Sequence, residues 1–417
     1  MKSLTKTALA LAAVGGLLAG AFGTGASARG RQSSAPLEGE GEGLKLIANV
    51  EYKGGTDMEF LTIKGRDYAF AASAPGVGGA TPEDAGLRVI DVTNPAKPKV
   101  VAHLKCGLYQ GDVQISHDKK TLMLAADSAG GPESCLAIGK LGFMTIDIRN
   151  PKKPKPIGFA EIPRGSHNIT AHPTKPFVYN SDADLANAGL GQIQIWSIKN
   201  PKKPELVNTV RTGTNSPHDI SFNADGTMAV TAGINVIELF DTTDPANPQL
   251  MFVTQCPGCS ITHDAKFTPD GQHVIVGDEG GGGSPYPCPG GALYFYNVVE
   301  TPASPVLVPT GIYEPEEVLI APSGQTGLGA CTSHVFDISD DGTKVAISWY
   351  TAGTRYLDVS SMQGLTFGGT NTPGGVVELG WFIPENGDSW SSKFHKGPYI
   401  YSNDINRGFD VYKIEGG

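Results

Sequence analysis

The chain has 417 residues, with 55 glycines and 30 prolines; that length allows a sizeable core in one or two domains, and the composition suits many turns. A formal net charge of −10 and a pI near 5.4 exclude sequence-independent nucleic-acid binding, which needs a basic face for the phosphates. No long stretch of period 3.6 follows the N-terminus, which excludes a helical architecture and points to an all-β protein.

Lys2 and Lys6 precede an apolar run from Ala8 to Ala21, and Ala26-Ser27-Ala28 forms an A-x-A cleavage pattern. Residues 1–28 therefore read as a signal peptide and the protein as secreted, its mature form more acidic still. The apolar run is short and rich in Gly and Ala, so a transmembrane anchor is not expected. No Cys follows it, which argues against a lipoprotein anchor. No Arg-Arg pair precedes it, so export is expected in the unfolded state, with any metal acquired outside the cytoplasm. Residues 29–43 are polar and rich in Gly, Glu and Ser, and read as a disordered linker.

From residue 44 to 417 one unit repeats. Its clearest copy opens at His218, alternates through Ile220 and Phe222, and turns at Asp225-Gly226. Met228–Ala232, Val236–Phe240 and Leu250–Thr254 supply three further strands. Four short antiparallel strands in roughly 40–50 residues is the pattern of a propeller blade. The third strand and its exit mark the register elsewhere: LRVIDVTNPAKP from Leu87, FMTIDIRNPKKP from Phe143, IQIWSIKNPKKP from Ile193 and IELFDTTDPANP from Ile237. Looser copies begin at Ala292, Arg355 and Gly408, which makes seven. Proline lacks an N–H, so it suits a chain leaving one strand for an edge strand.

These strands resemble the LVIVD repeat of bacterial secreted β-propeller proteins. The resemblance covers nearly the whole mature chain and implies a single seven-bladed propeller of four-stranded antiparallel blades. It carries little about activity, because propellers host many functions. The last copy ends at the C-terminus without a fourth strand, and Leu44–Tyr52 precedes the first blade as an orphan. The N-terminal strand is expected to complete the seventh blade and close the ring.

Counting seven residues back from each hairpin turn places His218, His263, His334 and His167 at one level of the innermost strands. The same count in blade two lands on Asp112; in blade one it falls on Asp57 or Glu59, and in blade seven near Asp388 to Trp390. Innermost strands line the central channel, so four imidazoles and several carboxylates should converge near one mouth. Two readings compete: a polar network satisfying strand-start backbone groups, and a divalent-metal site of His167, His218, His263 and His334 with carboxylates orienting the rings. Four consecutive blades with His favour the metal. Imidazoles suit Fe, Cu, Zn, Ni or Mn. The geometry resembles that of propeller enzymes with axial histidine-bound metals, such as the carotenoid oxygenases and the methanethiol oxidase/selenium-binding proteins, whose wider motifs are absent here. His395 reads as a surface residue at a turn, and His103, His117, His172 and His273 as structural.

The loops at this mouth carry Asp127, Asp182, Asp184, Asp278-Glu279 and Asn403-Asp404 around Gly-rich insertions. Loops on a rigid scaffold commonly build binding sites. These acids read as a solvated rim or Asx turns, with calcium as the competing reading. The six cysteines fall in the same loops, and in an exported protein they imply disulfides. Loop placement suggests Cys106–Cys135, Cys256–Cys259 and Cys288–Cys331 among 15 pairings. No nucleophile elbow and no phosphate-binding glycine loop before a helix is present.

The reading that follows is a metal-dependent enzyme, an oxidase/oxygenase or lyase, acting on a small extracellular substrate. Asp112 and Glu59 would be its proton-handling carboxylates. The rival is a non-catalytic scaffold binding protein, glycan or cell wall. Either way the loop-rich mouth takes the small-molecule or cell-surface ligand, and a monomer is expected.

Overall fold

The computed structural model describes residues 34–416 apart from 84, 128–138, 183–190, 213–216, 287–289, 316–329 and 362–374. The repeat with the clearest sequence forms strands over Asp219–Phe222, Met228–Ala232, Val236–Asp241 and Gln249–Gln255, hydrogen-bonded in that order. Its hairpin turn needs a left-handed residue, and Gly226 supplies it at φ 77°. The proline motif has a local cause too. Asn94, Asn150, Asn200 and Asp244 each accept, through their side chains, the N–H two residues on. Each backbone carbonyl of the same four residues accepts the N–H three residues on. The N-P-x-x-P signature is thus an Asx turn wrapped on a β-turn.

Among the described residues, seven antiparallel sheets built this way are arranged as a propeller. Blades one to five begin their innermost strands at Gly55, Gln110, Asn168, Asp219 and Thr262, and blades six and seven at Phe336 and Ser389. Middle strands such as Thr121–Ala126 and His273–Asp278 are buried on both faces, which is why they read as unbroken apolar runs. The core lies between blades. Phe70, Leu87 and Val89 of blade one pack on Leu122, Leu124 and Met144 of blade two, and Val230, Ile237 and Leu239 of blade four on Val274 and Val276 of blade five. Outermost strands such as Glu205–Arg211 are largely exposed.

The expectation of seven uniform four-stranded blades closed by one N-terminal strand is corrected. Among the described residues, six sheets have four strands and one has five, and each is a separate open sheet. The N-terminal segment supplies two strands to two blades. Leu44–Glu51 pairs with Gly408–Ile414, while Gly39–Glu42 adds a fifth strand beside Val377–Pro384. The latter lies in the segment expected to be disordered. An exposed edge strand needs backbone pairing and little apolar surface, so composition did not reveal it. Its glycines permit the approach: a Cβ on Gly41 would stand 2.4 Å from the Phe382 ring.

Polar side chains tie each innermost strand to the next. Asp57 accepts from the Val113 N–H at 3.5 Å and Asp112 from Ile169 at 2.7 Å. Thr170 donates to the Ile220 carbonyl at 2.6 Å, Ser221 to Ala265 at 2.6 Å and Lys266 to Phe336 at 2.8 Å. Asp337 accepts from Phe394 at 2.9 Å, and Ser391 donates to the Thr56 carbonyl at 2.8 Å, completing the circuit of seven. Among the described residues, no helix is long and apolar enough to cross a membrane.

Candidate metal centre

His167, His218, His263 and His334 stand at the start of the innermost strands of blades three to six. Backbone N–H groups of His167, His218 and His334 bond back to Ser181, Ala232 and Ser348 of the neighbouring strands. His263 sits where the pairing of Thr262–Phe267 shifts register. The rings form a continuous arc. His167 Nε2 and His218 Nε2 are 2.8 Å apart; ring centroids of His218 and His263 are 3.9 Å apart, and those of His263 and His334 4.2 Å. The convergence expected from the turn register is present.

The carboxylate that joins them is Glu279. It follows the second strand of blade five and is buried, 5% exposed. Its Oε2 lies 3.7 Å from His263 Nε2 and its Oε1 3.7 Å from His334 Nε2. His218, His263 and Glu279 each offer a ligand atom within 4.8 Å of the others. Donors held at about 2.0–2.2 Å by one ion lie roughly 3–4 Å apart, so the cluster fits a divalent metal. Tyr350 donates a 2.6 Å hydrogen bond to Glu279 Oε1 and fixes the carboxylate.

Protonation favours the same chemistry. Burial, aided by neighbouring imidazoles, holds His218 and His263 well below the usual histidine range. Burial pulls His334 down to about 3. These rings are neutral at pH 7 and their lone pairs are available. Burial pushes Glu279 up to about 7, a penalty that a bound cation would relieve. His334 Nδ1 donates to the Trp390 carbonyl at 2.6 Å, turning Nε2 inward, and His167 Nδ1 bonds Asp127 at 2.9 Å. Nδ1 of His263 has no partner among the described residues.

Asp112 and Glu59 are placed elsewhere. In blade two it is Lys119, at φ 58°, that takes the left-handed position held by Gly226. Counting from there makes Asp112 the equivalent of Asp219, not of His218. A bulge between Gln110 and Val113 then lifts Gln110 to the histidine level, where Gln110 Nε2 lies 3.2 Å from His167 Nε2. Asp112 serves as a backbone staple. Burial, with Asp57 and Asp219 nearby, raises it well above the carboxylate range. Glu59 accepts from Lys393 Nζ at 2.8 Å, and Asp57 pairs with the same ammonium at 3.1 Å. Burial opposes the Lys393 charge, but these two acids hold its pKa well above the ordinary value.

Among the described residues, two cavities meet at this cluster. A cavity of about 450 Å³ on the loop side is lined by Glu279, Tyr350 and Asp388 among others. One of about 340 Å³ continues past Asp112, Asp219, Lys266 and Lys393. Gln110, His218, His263, His334 and Trp390 line both and form the partition.

The mouth acids mostly hold loops. Asp278 accepts from Ser260 and Ile261 N–H groups, Asp182 from Gln192, and Asp404 from Asp388, Asn406 and Arg407. Asp184 lies outside the described residues. Cys256 and Cys259 are bonded as expected. Cys106 and Cys331 are also disulfide-bonded, while Cys135 and Cys288, their expected partners, lie outside the described residues. His395 is not a free surface residue: its ring stacks on Phe60 at 4.8 Å.

No established family matches the chain, and neither does any curated protein sequence. Solved structures match in fold. A protein of unknown function from Desulfotomaculum acetoxidans is 19% identical with a TM-score of 0.54, covering 80% of this chain and 92% of its own. Kuenenia stuttgartiensis hydrazine synthase is 13% identical with a TM-score of 0.58, over 93% and 99%. A β-propeller domain from Myceliophteria thermophila is 10% identical with a TM-score of 0.57, over 89% and 99%. At these identities the likeness is one of fold. Fold and site together define a β-propeller with a buried histidine–glutamate cluster on its axis.

Proposed function

We propose that this protein is a metal-dependent enzyme whose ion is held by His218, His263 and Glu279, with His334 and His167 flanking the ion, and whose substrate enters the loop-side cavity. One observation carries the reading: a buried carboxylate lies within 3.7 Å of two imidazole nitrogens among rings kept neutral by burial. Two histidines and one carboxylate with open positions suit a redox-active divalent metal such as Fe, which favours oxidase or oxygenase chemistry over a lyase. A bound ion would supply Lewis acidity or redox capacity at the cavity floor. The chain's own groups orient it: Tyr350 fixes Glu279, and Asp127 and the Trp390 carbonyl fix the outer histidines. The LVIVD resemblance and residues 1–28 support export, so the substrate would be extracellular; N-terminal sequencing of secreted protein should begin near Arg29.

Elemental analysis of chelator-free secreted protein tests the metal. About one transition metal per chain is expected, lost in a folded His218→Ala/His263→Ala variant. A parent that stays metal-free after reconstitution, with its fold intact, overturns the reading and returns the scaffold alternative.

A further inference from the structure

The loop-side cavity has a second charged feature that the metal does not use. Asp388 lines the same 450 Å³ space as Glu279, and its Oδ1 is buried without a partner among the described residues. Its backbone is fixed, because the Asp388 N–H donates to Asp404 at 2.7 Å. Around it stand aromatic rings. Tyr350 and Trp390 are nearly perpendicular, with centroids 6.3 Å apart, and Tyr109, 41% exposed, lines the entrance side. No lysine or arginine is among the described lining residues.

Each part argues for the same ligand chemistry. Tyr and Trp faces attract a cation, most strongly where water is excluded. A carboxylate with one buried, unpaired oxygen is costly unless a positive charge comes beside it. Without a bound metal, an anionic ligand would meet two carboxylates and, among the described lining residues, imidazoles but neither lysine nor arginine. A neutral ligand without a hydrogen-bond donor would leave the Asp388 oxygen unsatisfied, and one with a donor would leave its charge uncompensated. We infer that the loop-side cavity selects a small organic cation, an alkylated ammonium, with Asp388 as counter-ion and Tyr109, Tyr350 and Trp390 as its aromatic walls.

Its role as the substrate class rests on the reading that this cavity is the active site, but binding can be measured without turnover or metal. Choline, 3,3-dimethylbutanol and 3,3-dimethylbutyrate share one shape and carry positive, zero and negative charge, and the quaternary nitrogen cannot ligate a metal. Calorimetric titration of each into the full mature chain, metal-loaded and chelator-treated, reads the preference directly. We expect choline to bind at least tenfold more tightly than the alcohol in both forms, and the carboxylate, which can ligate a bound ion, not measurably in the chelator-treated form. Asp388→Asn should abolish the preference and leave metal content unchanged. Equal binding of choline and the alcohol by the parent, or a preference that survives in Asp388→Asn, overturns the inference. The parent comparison decides even if the variant does not fold. A metal-free parent that still prefers choline would count against the enzyme reading alone.

Discussion

Replacing Asp388 by asparagine keeps the side-chain shape and removes the charge that the fold disfavours. Burial raises Asp388 from its ordinary 3.8 to about 7, roughly three pH units or about 4 kcal/mol at full strength. The group lines a water-accessible cavity, so screening reduces the expected effect to about 2 kcal/mol. The sign follows from proton counting. Between pH 4 and 7 the folded state keeps a proton that the unfolded chain has lost, so parent stability falls as pH rises through that window. Below about pH 4 both states are protonated and the contribution vanishes. Urea denaturation of parent and Asp388→Asn at pH 4.5 and 8.5 reads the difference. The variant should gain ~2 kcal/mol on the parent between these pH values. A gap that does not change with pH, or one that closes as pH rises, refutes the burial argument.

Glu279→Gln should lower metal affinity by more than the roughly 10–100-fold that loss of an outer partner costs, and Tyr350→Phe should fall within that range; competition with a chelator measures both. Asp112→Leu leaves the Ile169 N–H without its acceptor and should cost about 1–3 kcal/mol, whereas Asp112→Asn should be nearly neutral, with metal content unchanged in both. Phe409, fully buried beside Val50 and Tyr401, should cost about 3–5 kcal/mol as alanine in thermal or denaturant unfolding.

The blades were legible because their signals are local. Asp225-Gly226 and the N-P-x-x-P exits specify turns by short-range chemistry, and the strands between them alternate or run apolar according to burial. The histidine arc was legible by the same means, as each ring sits a fixed count before its turn. Asp112 was misplaced because a lysine in the left-handed position shifts the count by one and a bulge shifts it again, and neither is written in hydropathy. Glu279 was seen only as a rim acid, since it lies on a loop after a second strand. Its one available signal was its position directly after the buried run His273–Asp278. Gly39–Glu42 escaped notice because pairing at an exposed sheet edge demands nothing of side-chain polarity.

The circuit of seven staples bears on how an ion would be taken up. In small metallodomains the ion gathers its ligands from a loose chain, and binding energy is spent on that assembly. Here the strands that carry the imidazoles are already bound to one another around the axis, so little configurational entropy remains to be lost when an ion arrives. Metal exchange and unfolding should then be separate events. Stripping the ion with a chelator should leave the circular dichroism spectrum unchanged, and selectivity among ions would rest on the spacing of donors that are in place beforehand.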